Sequence, residues 1–229
     1  MPRTKRRKSK RKTLALPSPL KTINKYFKNV TITYTLPYTL VCKINCSMDM
    51  DSSKFRLYED VMCIDNLSKC GHIKGKTILD GIMHIAQDLN LRRVELYDIS
   101  SIERCDYFYS LAHFYILLTG ESWYNKFGFV SSSHRENVEY NQEIRTLPLN
   151  EFLLRSNSDL DVDDFLSTFE VNPTDSVHHI IQGIYDYIQT SKLCEDTMML
   201  LSSLIHSSER LLEYNKDLVL EPIQAYPFK

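Results

Sequence analysis

Residues 77–99 read TILDGIMHIAQDLNLRRVELYDI, and this stretch decides the fold. Ile78, Ile82, Ile85, Ala86 and Leu89 recur at three- and four-residue intervals, which lays them along one stripe of a helix over 77–90. Asn90 ends that helix, and residues 92–99 then put Val94, Leu96 and Asp98 on one face of a strand. Upstream, residues 55–65 form a β-rich run and 68–76 a glycine-containing loop. Strand, loop, helix and strand in that order bring the two strands parallel, with the helix as the crossover. The expected class is α/β.

Working outward, residues 30–36 and 38–46 are two further β-rich runs separated by a bend at Pro37, which lacks a ladder donor. The Ser-rich acidic stretch 47–53 reads as a loop. On the other side, residues 107–118 are aromatic and read as helix, Thr119-Gly120 as a break, and 122–127 as a short helix stopped by Gly128. Residues 151–154 and 162–169 are short helical segments. Residues 174–189 and 193–214 form an amphipathic helical pair, striped by Val177, Ile180, Ile181 and Ile184 and by Leu200, Leu201, Leu204 and Ile205. This divides the chain into an arm (1–20), a mixed sheet domain with flanking helices (21–146) and a helical C-terminal extension (147–229).

The unit over 55–99 is closed by Tyr124-Asn125-Lys126-Phe127-Gly128-Phe129. A helix opening with Ile78-Leu79, then a strand, then a Tyr-x-Lys-x-Gly-Phe ending resembles the GNAT superfamily of N-acetyltransferases over residues 30–145. The stretch 117–124 is similar to GNAT-like proteins of large double-stranded DNA viruses. The resemblance implies a GNAT-like mixed central sheet and acetyl-CoA-dependent transfer to an amine-bearing substrate or protein, by direct attack on the thioester. It implies Tyr124 as the acid that protonates the departing thiolate; Glu59, Asp60 and Asp98, on or beside the strands that would line the cleft, are the candidates for a base. It places Val61 and Cys63 along the cofactor's pantetheine arm. It places Gly71, His72, Lys74, Gly75 and Lys76 at its pyrophosphate, where helix N-terminal amides favour an anion. Where the family carries Arg or Gln, Gly, and Gly or Ala, this loop reads Cys70, Ile73 and Gly75. The competing reading is therefore a catalytically inactive GNAT-like scaffold, or a viral structural or DNA-associated protein. In it Tyr124 packs beneath the turn at 127–129, and Glu59 and Asp98 are solvated strand-end carboxylates.

The charges divide unevenly. The 28 basic and 29 acidic residues give a net charge of −1. Eight of the basic residues, Arg3, Lys5, Arg6, Arg7, Lys8, Lys10, Arg11 and Lys12, nevertheless fall in the first twelve positions, ahead of any acid. Such an arm suits phosphate neutralisation on nucleic acid, a nuclear-import address, or an anionic protein or lipid surface. A hydrophobic content of 43% excludes a wholly disordered chain. No apolar run is long enough to span a membrane, and no apolar stretch follows the basic residues as in a secretory signal. Six irregularly spaced cysteines point to reduced thiols and an intracellular place, cytoplasmic, nuclear or within a virion. Cys42 and Cys46 in one strand would stand about 13 Å apart, too far for one tetrahedral ion, so no metal is expected. His178 and His179 lie about 100° apart around a helix and cannot share a ligand face.

Deleting residues 2–12 is expected to flatten any salt-dependent binding of duplex DNA, measured as the slope of affinity against salt. An unchanged slope would assign the binding to another surface.

Overall fold

The computed structural model describes residues 19–28, 30–35, 39–45, 53–67, 73–158, 160, 167, 171–190 and 195–228. In chain order the elements are α1 (Pro19–Tyr26), β1 (Val30–Thr35), β2 (Thr39–Ile44), β3 (Ser53–Tyr58), β4 (Val61–Asn66), α2 (Gly75–Asp88) and β5 (Arg93–Tyr97). They continue with β6 (Ser101–Arg104), β7 (Tyr107–Ser110), α3 (Leu111–Thr119), α4 (His134–Thr146), α5 (Leu149–Ser156), α6 (Val177–Thr190), α7 (Glu195–Ser208) and β8 (Asp217–Leu220). The fold is mixed α/β. A six-stranded sheet runs in the order β1-β2-β3-β4-β5-β8, and β6 and β7 form a separate hairpin. Strands β1 to β4 are an antiparallel meander, β4 and β5 are parallel across α2, and β8 is antiparallel to β5.

The run at 55–65 is two strands rather than the single one expected. The inward residues are Phe55 and Leu57 in β3 but Met62 and Ile64 in β4. Odd positions give way to even ones, so no single strand could keep all four on one face. The Glu59-Asp60 turn absorbs the change, with Glu59 at φ 51°. Residues 107–118 also divide. Tyr107–Ser110 pairs with β6, and Ser110 caps α3 by accepting from the His113 amide at 3.3 Å. The β6–β7 turn has both Cys105 and Asp106 at positive φ, 52° and 64°, the left-handed backbone conformation with which a two-residue hairpin loop matches the right-handed twist of its strands. The short helix expected over 122–127 is a single 3-10 turn, Asn125–Phe127, stopped at Gly128 as anticipated. Elements α1, α4, β6 and β8 fall in stretches for which the sequence predicts no helix or strand, and the segment 162–169 lies largely outside the described residues.

Two apolar cores result. In the first, Ile78, Leu79, Ile82, Met83 and Ile85 of α2 pack on Phe55, Met62, Ile64, Val94 and Leu96 of the sheet. Each such buried aliphatic side chain contributes about 1.5–3 kcal/mol. The opposite face of the sheet carries ion pairs, Arg56–Asp65 at 2.6 Å and Arg93–Glu95 at 2.6 Å. The second core is helical and joins α3, α4, α5, α6 and α7. The two cores do not divide at 146/147. The β6–β7 hairpin and α3 belong with the helices, whereas Leu218, Leu220, Ile223 and Tyr226 return to the sheet. Helix α4 is largely polar and is held by hydrogen bonds. Arg145 donates to the carbonyls of Leu117 (3.1 Å) and Leu118 (2.7 Å) near the C-terminus of α3, where a cation is favoured. Asn141 exchanges two hydrogen bonds with the Glu213 backbone, at 2.7 and 2.9 Å.

Gly128 sits at φ +87°, and a Cβ there would lie 3.0 Å from Leu220 Cδ1. Gly128→Ala is expected to cost about 1–2 kcal/mol, read as a lower urea midpoint at unchanged slope. An unchanged midpoint would contradict this account of the turn.

Candidate active-site cleft

The parallel register of β4 and β5 covers four pairs, Val61 with Arg93 through Ile64 with Leu96. Beyond it the two strands border a cleft of about 740 Å³, lined by 65–67 from one and 97–99 from the other. Strand β5 keeps its partner on the opposite side. Tyr97 is registered with Asp217, and the Asp98 amide donates to the Lys216 carbonyl at 2.9 Å. Residues 100–103, Phe108 and Tyr124 complete the cleft wall.

Tyr124 is only 3% exposed. Its ring meets Trp123 and Phe129 edge-on, at centroid distances of 4.9 and 6.2 Å. Burial, and then the negative charge of Asp98, push its hydroxyl well above the ordinary tyrosine value, and the Ser100 hydroxyl opposes this. The phenol is therefore protonated throughout the neutral range. The ring packs beneath the turn, and the residue also lines the cleft.

Asp98 is 3% exposed, so it is not a solvated strand-end carboxylate. Its oxygens accept from the Ser100 amide at 3.0 Å, from the Ser100 hydroxyl and from the Tyr214 hydroxyl. A buried carboxylate needs such donors, and here they occupy it. Burial and the charge of Asp98 raise Tyr214 far above its ordinary value. His113, whose Nδ1 lies 2.7 Å from Ser110 Oγ, packs edge-on against Tyr214 and is lowered mainly by burial.

Three expected site residues are elsewhere. Glu59 lies in the β3–β4 turn, at the opposite end of β4 from the cleft, roughly 20 Å away along the strand. Val61 is buried and registered with Arg93, inside the paired part of the strand. Cys63 is registered between Arg56 and Glu95. Its Sγ hydrogen-bonds to the Tyr58 hydroxyl and lies 3.2 Å from Glu95 Oε2, and its thiol is pushed up to about 11, chiefly by burial. The β4 residues that border the cleft are instead Asp65, Asn66 and Leu67.

Lys74, Gly75 and Lys76 do come together, at the N-terminus of α2. Lys74 is the N-cap, and the first turn holds no acidic side chain. Lys76 reaches Asp80 at 2.6 Å. Lys126 joins this end, its Nζ 4.8 Å from the Trp123 ring centroid and 5.2 Å from that of Phe127. Burial, and then the charge of Lys76, lower its pKa. A Cβ at Gly75 would meet nothing within 4 Å. Gly71, His72 and the basic positions 3–12 lie outside the described residues.

Among the described residues no group of His, Cys, Asp and Glu is arranged to hold a metal, and no helix is long and apolar enough to cross a membrane. Cys105 is disulfide-bonded, which corrects the expectation of uniformly reduced thiols. Sequence reasoning missed Tyr214, Ser100 and His113. Tyr214 was assigned to the end of a helix, but α7 stops at Ser208 and frees it to reach Asp98. The chain matches no known family model, no curated protein and no solved structure.

An ultraviolet alkaline titration checks the electrostatics. The phenolate signal lost in Tyr124→Phe should come from the part of the curve above pH 10, the ordinary tyrosine value. A missing component at or below 10 would contradict the buried, protonated phenol.

Proposed function

We propose that this protein is an acetyl-CoA-dependent N-acetyltransferase of GNAT-like fold. The observation that carries the reading is the opening between the parallel strands β4 and β5, with a buried, protonated tyrosine in its wall. The single parallel pair in a described sheet that is otherwise antiparallel, and β8 antiparallel to β5, support the fold part of the reading. The ending at 124–129 supports it as well.

The residues present fit an anionic, pantetheine-bearing cofactor. The α2 N-terminus and Lys74, Lys76 and Lys126 would hold its phosphates. The ends of β4 and β5, no longer paired with each other, would receive its extended arm. When bound, acetyl-CoA supplies an acyl group activated as a thioester. Tyr124 holds a proton for the departing sulfur, and the upward shift keeps that proton in place at neutral pH. Asp98 acts as a positioning residue, fixing Ser100 and Tyr214 around the phenol. The cleft holds the two reactants together, the main source of rate acceleration in such a direct transfer.

Binding to the native state must raise the melting temperature with ligand concentration. Millimolar acetyl-CoA is expected to stabilise the full chain. No shift would sink the enzyme reading and leave the scaffold. If binding is seen, Tyr124→Phe should lower turnover by about 10²–10⁴ with little change in cofactor affinity. Unchanged turnover would remove the acid assignment.

A further inference from the structure

Three large apolar side chains are exposed in the wall of the cleft. Tyr97, Ile99 and Phe108 expose 53%, 66% and 61% of their area, and all three line this one cleft. Scattered exposed apolar residues need no explanation, but a contiguous set around a cavity marks a binding surface. The charges around it are one-sided. The described lining residues include Asp65, Asp98 and Glu103 but no Lys, Arg or His.

The three acids are not equivalent. Asp65 is neutralised by Arg56 at 2.6 Å and Lys54 at 3.6 Å. Asp98 is occupied by its three hydrogen bonds. Glu103 is exposed and forms no ion pair with any described residue. It stands directly across the hairpin from Phe108. Cross-strand partners share a face with their Cβ atoms about 4.5–5.5 Å apart, so carboxylate and ring form one compact unit. The hairpin is held from behind. Ile102, Tyr107 and Tyr109 pack into the helical core, and Ser202 donates to the Phe108 carbonyl at 3.1 Å.

We propose that the acceptor is a small primary amine on an aromatic body, an arylalkylamine. Its ammonium sits at Glu103 and its ring on Phe108, Tyr97 and Ile99. This rests on the acyl-transfer reading. One uncompensated carboxylate beside an apolar wall matches one positive charge beside one ring. A polyamine would leave its further charges against apolar surface. The ammonium first loses a proton to solvent at the open hairpin face. Its nitrogen lone pair then forms the C–N bond to the acetyl carbonyl as the C–S bond breaks. The sulfur leaves with that electron pair and takes the Tyr124 proton, and the amide nitrogen gives up its remaining extra proton to water, which reprotonates the phenol.

The test separates this inference from the reading beneath it. Calorimetry of the full chain with 2-phenylethylamine, without cofactor, is expected to show binding that weakens about tenfold in Glu103→Gln and in Phe108→Ala. Neither variant should alter the acetyl-CoA melting shift. With acetyl-CoA present, thiol release should favour 2-phenylethylamine over spermidine and over a lysine-containing peptide by at least about tenfold in kcat/KM. An acetyl-CoA shift with spermidine or the peptide preferred would overturn the arylalkylamine and leave acyl transfer standing. Amine binding indifferent to both substitutions would overturn the assigned site. Amine binding that depends on both residues, without any acetyl-CoA shift, would support the pocket and defeat the acyl-transfer reading.

Discussion

Asp98 is a charge that folding has taken out of water at the end of β5, and a buried carboxylate is tolerable only where donors surround it. Those donors come from different parts of the chain: Ser100 from the link to the hairpin, and Tyr214 from the segment between α7 and β8. Satisfying one carboxylate therefore ties the sheet core to the helical core at the cleft. The Asp98 amide, bonded to Lys216, ties β5 to the entry of β8 at the same point. Removing the Tyr214 hydroxyl would leave the carboxylate one donor short, a loss of about 1–3 kcal/mol concentrated at the cleft.

The rest of the cleft depends on that junction. With β5 bonded to β8 beyond Leu96, its pairing with β4 ends after four residue pairs. The β6–β7 hairpin follows Ser100 directly, so the position of Asp98 also sets where Glu103 and Phe108 stand. Tyr124 is placed from the other direction, by the 3-10 turn that Gly128 stops and by the packing of Trp123, Phe127 and Phe129. Two chain segments distant in sequence thus converge on one polar group. The α2 N-terminus carries Lys74 and Lys76, with Lys126 close by.

Much of this was legible in the chain itself. The stripe from Ile78 to Leu89 and the alternation at Val94 and Leu96 gave the crossover unit, because one periodicity of 3.6 and one of 2 identify helix and strand without tertiary help. Gly128 was legible as the stop of a short helical turn, while Tyr124 was singled out only by the resemblance of residues 124–129 to the GNAT ending. The β3–β4 hairpin was also written there, in the change of parity between Leu57 and Met62, but a run rich in β-formers disguised it. Helix α4 was not legible, since Arg145 and Asn141 hold it through backbone groups that sequence does not display. Strand β8 has four residues, too few for a pattern. Tyr214 was obscured because the apolar periodicity of α7 seemed to run past its true end. Val61 and Cys63 lie inside the paired segment of β4, whereas the cleft borders residues 65–67, because the point where two strands part is set by their register and not by either strand's own pattern.

On the proposed function, the space between the ends of β4 and β5 receives an acyl carrier. The most direct measurement is a crystal structure of the full chain with coenzyme A. The pantetheine arm is expected between residues 65–67 and 97–99, the phosphates at Lys74, Lys76 and Lys126, and the sulfur within hydrogen-bond reach of the Tyr124 hydroxyl. Coenzyme A bound elsewhere, or a cleft filled by the protein's own chain, would contradict it.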